Sequence, residues 1–229
     1  MTPSHQKGLS RIEVLVTILV ALGVLVIVVT VFLRHRSNLE RTNALNNAKA
    51  LAGGLVAFKT DMGAYPCEST YEAMVSDGWE NLRAETDANA YLAQLLATDI
   101  IDDEGVFYAT GVRIPTKGDC IKGTTRTLLA PGENDFAYIM AANEEPLTDV
   151  SSNTPLVLAP LLKAGEVPTF DPKPFNGKGV YGKADGSGAL FTINKKGHAV
   201  SEDGVELFAT GSGSLFGKET PVVKAPTRP

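Results

Sequence analysis

Three observations predict an α+β fold. A run of twenty residues near the N-terminus, 14–33, carries no charge. An amphipathic helical pattern continues from it to Met62. The last third holds short strand-like runs separated by turn signals. The first two make one long N-terminal helix, membrane-spanning in its first half. The third makes an antiparallel β-sheet head against which the second half packs.

The apolar run comes first. As a helix, twenty residues span about 30 Å, the thickness of a bilayer core. The run is rich in Val and Ile, which lower helix propensity in water, but lipid leaves backbone groups no other partners. It is too long and too evenly apolar for a buried core helix. It also exceeds the roughly 7–15 apolar residues of a cleaved secretory signal. Glu13 stands at its edge. Acidic residues cost about 2.5–3.5 kcal/mol at the centre of a membrane helix and less near its ends, so such a residue is a functional candidate by default. Charge does not orient the segment: Lys7 and Arg11 precede it, and Arg34, Arg36 and Arg41 follow it.

The helix is expected to continue. Leu39, Leu45, Ala48, Leu51 or Ala52, Leu55, Phe58 and Met62 keep three- or four-residue spacing or its multiples. Gly53-Gly54 lowers propensity but permits close packing. Gly63 is placed to end the helix as its C′ residue, with Pro66 just beyond. One helix over residues 10–62 would reach about 80 Å; a break at 34–37 into two helices is the alternative. Beyond it, Asp87 caps an amphipathic helix over 87–96. Strand-like runs occupy 106–109, 136–142, 155–159, 179–181, 189–194, 198–201 and 205–209. Asp185-Gly186-Ser187-Gly188 and Lys195-Lys196-Gly197 are turn signals at hairpin spacing. Residues 211–229, with Gly-Ser-Gly and three prolines, read as a flexible tail.

Composition narrows the chemistry. The chain is 44 % hydrophobic and 21 % charged, with formal net charge −5. No basic run of the kind that tracks phosphates is present, so nucleic acid is not an expected partner. No nucleophile elbow, phosphate loop or metalloprotease helix occurs, and the expectation is not an enzyme. The three histidines lack ligand spacing. Asp99, Asp102, Asp103 and Glu104 read as a solvated acidic turn between helix and strand. The two cysteines, Cys67 and Cys120, are a candidate disulfide in an exported domain and separate thiols otherwise.

The N-terminus carries a resemblance. Lys7-Gly8-Leu9-Ser10-Arg11-Ile12-Glu13-Val14, leading into the apolar run, resembles the class III signal of type IV pilins and type II secretion pseudopilins. Phe58-Lys59-Thr60-Asp61-Met62-Gly63-Ala64-Tyr65-Pro66 resembles the end of the long helix in major pseudopilins. More weakly, Asp171-Pro172-Lys173-Pro174-Phe175-Asn176-Gly177 is similar to the turn before their sheet. The resemblance implies a pilin-like fold. It divides the chain into a leader (1–8), a transmembrane and assembly helix (9–33), its continuation on the head (34–62), an α+β head (63–210) and the tail.

The same resemblance implies cleavage after Gly8 by a prepilin peptidase and methylation of Leu9. Glu13 would pair with the N-terminal ammonium of a neighbouring subunit, since a carboxylate in low dielectric seeks a cation, and so set register between subunits. The implied partners are other pilin or pseudopilin subunits, that peptidase, an inner-membrane assembly platform and membrane lipid. The implied place is a bacterial inner membrane, single-pass, with the head outside the cytoplasm. Many secretion pseudopilins hold calcium in the C-terminal sheet loops, and Glu202 and Asp203 are the candidate ligands here; no other cofactor is expected. The sequence departs from the family in having Leu9 for Phe, an early Arg11, and Thr30 where many members carry proline. A secretion pseudopilin is the leading reading; the alternatives are a type IV pilin of a surface pilus and a single-span membrane protein whose exported domain binds a ligand or acts as an enzyme.

Overall fold

The computed structural model describes residues 11–79, 82–84, 86–110, 128–148, 150–165, 167–201, 203–208, 214–216 and 221–228. Helix α1 runs Arg11–Met62 and is followed by α2 (Glu68–Ser76), α3 (Ala88–Ala97) and a 3-10 turn at Glu104–Phe107. The strands are β1 (Ala137–Met140), β2 (Pro155–Ala159), β3 (Leu161–Lys163), β4 (Thr169–Phe170), β5 (Lys178–Lys183), β6 (Gly188–Ile193), β7 (Ala199–Val200) and β8 (Val222–Lys224). Six of them form one antiparallel sheet in the order β7-β6-β5-β2-β1-β8, while β3 and β4 pair separately.

Helix α1 is continuous over 52 residues, about 78 Å. The expected alternative, a break at 34–37, does not occur. No glycine or proline stands there, and Arg36 pairs with Glu40 one turn on at 3.0 Å. Gly63 ends the helix at φ 83° and donates its N–H to the Lys59 carbonyl at 2.9 Å.

The second half of α1 buries Ala44, Ala48, Leu51, Leu55 and Phe58, alternating steps of four and three. This stripe lies on β5, β2 and β6. Two glycines make the approach close. A Cβ on Gly182 would sit 2.3 Å from the Ala48 carbonyl oxygen, and one on Gly188 would sit 2.7 Å from Lys49 Cγ. Gly182 and Gly188 are cross-strand partners, so both face the helix. On the other face, Tyr181, Phe191, Phe170 and Phe208 form an aromatic cluster with ring centroids 4.7–6.2 Å apart. Tyr138, on the helix face of β1, donates its hydroxyl to the Pro66 carbonyl at 2.9 Å and so ties the sheet to the chain leaving α1. Burial pushes its phenol well above the ordinary range, which keeps it a donor.

Four expectations are corrected. Residues 106–109 do not form a strand; a 3-10 turn stands at Glu104–Phe107, with Asp103 Oδ1 accepting from Gly105 N at 2.8 Å. Asn47 of α1 donates Nδ2 to the Gly105 and Tyr108 carbonyls, which a ladder would otherwise have used. Glu104 is buried, so the acidic turn is not wholly solvated. Of the expected strand 205–209, the described residues 205–208 contribute one isolated bridge, Val200 to Glu206, because Ser201 and Val205 close a tight turn between them.

The fourth correction is the tail. Its described residues 221–228 are integrated into the head, which therefore extends past residue 210. Strand β8 pairs with β1 at the sheet edge. Ala225 accepts from Ala88 N at 3.0 Å, Thr227 donates to Asn89 and to Asp87, and Arg228 donates to the Leu161 carbonyl at 2.7 Å. Pro221 and Pro226, two of the prolines that suggested disorder, flank an edge strand, where proline is tolerated. A chain ending at Thr220 should lose about 3 kcal/mol of head stability, from bonds of roughly 0.5–1.5 kcal/mol each. That would lower the melting temperature by roughly 6–12 °C. An unchanged transition in detergent would show that these contacts contribute nothing.

Candidate functional site on the N-terminal helix

Along α1 the chain divides sharply. From Arg11 to Arg36 every residue is exposed, whereas the packed stripe begins at Ala44. The apolar window of this helix is 0 % buried within the chain, and α1 is long and apolar enough to cross a membrane. Sixteen of residues 14–33 are Val, Leu, Ile or Phe. At about 0.3–0.6 kcal/mol each at a membrane centre, they favour insertion by roughly 5–10 kcal/mol. Left in water, so large an apolar surface needs a partner.

The polar groups inside this run are satisfied within the helix. Thr17 Oγ1 donates to the Glu13 carbonyl at 2.7 Å, and Thr30 Oγ1 donates to the Val26 carbonyl at 2.8 Å. Neither hydroxyl then requires water. Glu13 lies in the first described turn, where the helix dipole favours a carboxylate. It is exposed and borders the apolar surface. Gly23 has open space where a side chain would be, so no packing within the chain requires glycine there.

Gly8 and Leu9 lie outside the described residues, as do Cys120 and Glu202. Cys67 is a free, buried thiol with Sγ 3.1 Å from Ser69 Oγ. Asp203 is exposed. Among the described residues, no group of three or more His, Cys, Asp or Glu could hold a metal ion. His198 Nδ1 lies 2.6 Å from Glu206 Oε1, so this histidine stands in a local polar pair.

Among the described residues, two modest clefts lie on the head. One, of about 90 Å³, lies between α2 and α3 beside Glu68, Arg83 and Tyr91. The other, of about 190 Å³, lies beside Asp135, Asp171 and Arg228. Asp135 is already committed there, accepting from Ala109 N and from Thr110 N and Oγ1. Residues missed in the sequence are Gly182 and Gly188, which let the head seat on α1; glycine inside a strand was the available signal. No protein-family model, no curated protein and no solved structure matches this chain.

Proposed function

We propose that this chain is a structural subunit of a type IV pilus-like filament, of the type II secretion pseudopilin kind. It is processed after Gly8, anchored by α1 and assembled through that helix. The observation that carries the reading is the division of α1. One half is a bare apolar rod bearing a carboxylate at its end, and the other half holds a folded head. A pure anchor needs the apolar rod but has no use for Glu13 at its lip. A subunit that leaves lipid to pack its rod against neighbouring rods uses both. The Tyr65-Pro66 helix ending and the Asp171-Pro172 turn favour a pseudopilin over a surface pilin.

Mass spectrometry of the native protein tests this reading. The expected mature chain starts at N-methylated Leu9. An intact Met1, or cleavage after residue 33, would sink the proposal in favour of a single-span anchor with an exported ligand-binding head.

A further inference from the structure

The base of the head is the surface that sequence reading did not anticipate. Two contacts fix its height along α1. At one end, Ser37 Oγ donates to the Pro174 carbonyl at 3.0 Å. At the other, a Cβ on Gly186 would sit 3.7 Å from Gly53 Cα. Between these levels the helix rises about 24 Å, and β5 and β6 run alongside. The 184–187 turn therefore lies at the far end of the head, and the 171–177 loop at the end nearest the apolar half of α1. The 194–198 turn belongs to this near end: Ile193 N donates to the Gly177 carbonyl at 2.9 Å and Phe170 N to the Gly197 carbonyl at 2.8 Å.

Charge is segregated there. Residues 34–41, 171–177 and 194–198 together carry six basic side chains: Arg34, Arg36, Arg41, Lys173, Lys195 and Lys196. The acidic ones are Glu40, paired with Arg36, and Asp171, whose Oδ1 accepts from Lys173 N. His198 of the 194–198 turn pairs with Glu206 at 2.6 Å, and Asp135 and Arg228 stand beside Asp171 and Pro174, one of each sign. The excess is positive in a chain whose formal net charge is −5. The three lysines are exposed. No single basic run is visible in the sequence because the helix segment lies more than a hundred residues before the two loops, which are themselves separated by β5 and β6; the sheet gathers them.

The distances suit one partner. Ser37 stands four residues past Leu33, about 6 Å along the axis. A headgroup layer is about 5–8 Å deep on each side of the hydrocarbon core. The base of the head thus meets the outer edge of that layer, within the screening length of about 8–10 Å. We infer that Lys173, Lys195 and Lys196, with the arginines that follow the apolar run, form a collar that docks the head on the anionic phospholipid headgroups of the bilayer that α1 enters. The inference rests on α1 being a membrane anchor.

The test is acylation of surface lysines in the full-length chain, reconstituted in vesicles and read by mass spectrometry. Phosphatidylcholine vesicles are compared with equal mixtures of phosphatidylcholine and phosphatidylglycerol. Lys59, near the far end of α1, is the internal reference. Labelling of Lys173, Lys195 and Lys196 relative to Lys59 should fall about fivefold in the anionic vesicles. The protection should vanish in about 1 M salt, where screening shortens to about 3 Å. Lys173 should also lose it in the variant K195E/K196E. Equal labelling in both lipids overturns the docking while leaving the anchor intact. Protection that appears in phosphatidylcholine alone and grows with protein density assigns the collar to a neighbouring copy, and also overturns it. Failure of the chain to float with either vesicle type overturns the anchor itself.

Discussion

Replacing Glu13 by alanine should abolish filament assembly and leave the head folded. The proposed filament removes the apolar rods from lipid and packs them side by side, which places each Glu13 in low dielectric. There a carboxylate is tolerated only when paired. Removing one member of a buried ion pair typically costs about 3–5 kcal/mol, because the other charge is left without compensation. At every subunit added, that corresponds to a loss of roughly 150- to 4,000-fold in affinity. Glu13 is exposed and lies about 45 Å along α1 from the packed stripe at Ala44, so the head's melting temperature should not move. Filament yield by electron microscopy, beside thermal melting of the detergent-solubilised chain, separates the two effects. Normal filaments from the alanine variant would refute the pairing role.

The second large effect is on stability. Gly182→Val should destabilise the head by about 3 kcal/mol or more. A Cβ at this position would meet the Ala48 carbonyl oxygen at 2.3 Å and Ala52 Cβ at 2.8 Å. Both belong to the helix, and the first is backbone that no rotamer change can move aside. The helix would have to lift from the sheet, opening the stripe from Ala44 to Phe58. Overpacking of this kind costs roughly 1–3 kcal/mol and occasionally more. A melting temperature lower by roughly 6–12 °C is expected. Gly53→Ala is the contrasting change: its Cβ would meet nothing within 4 Å, and it sits in mid-helix. It should stabilise by roughly 1 kcal/mol through helix propensity. If both variants melted like the parent, close helix–sheet contact would not be what holds the head.

The Glu13 prediction draws on features readable in the sequence, and the Gly182 prediction on features that are not. Length, charge and side-chain spacing along one helix are local properties, and they marked the apolar run, its continuation to Met62, the Gly63 stop and the Asp87 cap. Strands 155–159 and 189–194 were also legible, since each is a short apolar run between turn residues. The tail misled because its glycines and prolines describe only what it cannot do alone. Val222–Lys224 becomes a strand because β1 presents an open edge and Asp87, Asn89 and Leu161 offer hydrogen-bond partners. The 106–109 segment misled for a similar reason: its apolar residues suit a strand, but Asn47, about sixty residues earlier, takes the carbonyls a ladder would need.

The sequence by itself determined that this protein has a charge-free rod ending in a carboxylate, continuous with a helix that must pack, because helical periodicity and the solvation of apolar groups act over a few neighbouring residues. Only the tertiary structure decided where the head sits on that rod, which glycines seat it, and that six basic side chains from the helix and two later loops share one end. Those outcomes depend on which strands pair and at what height they meet α1, and such long-range contacts leave no local trace in the chain.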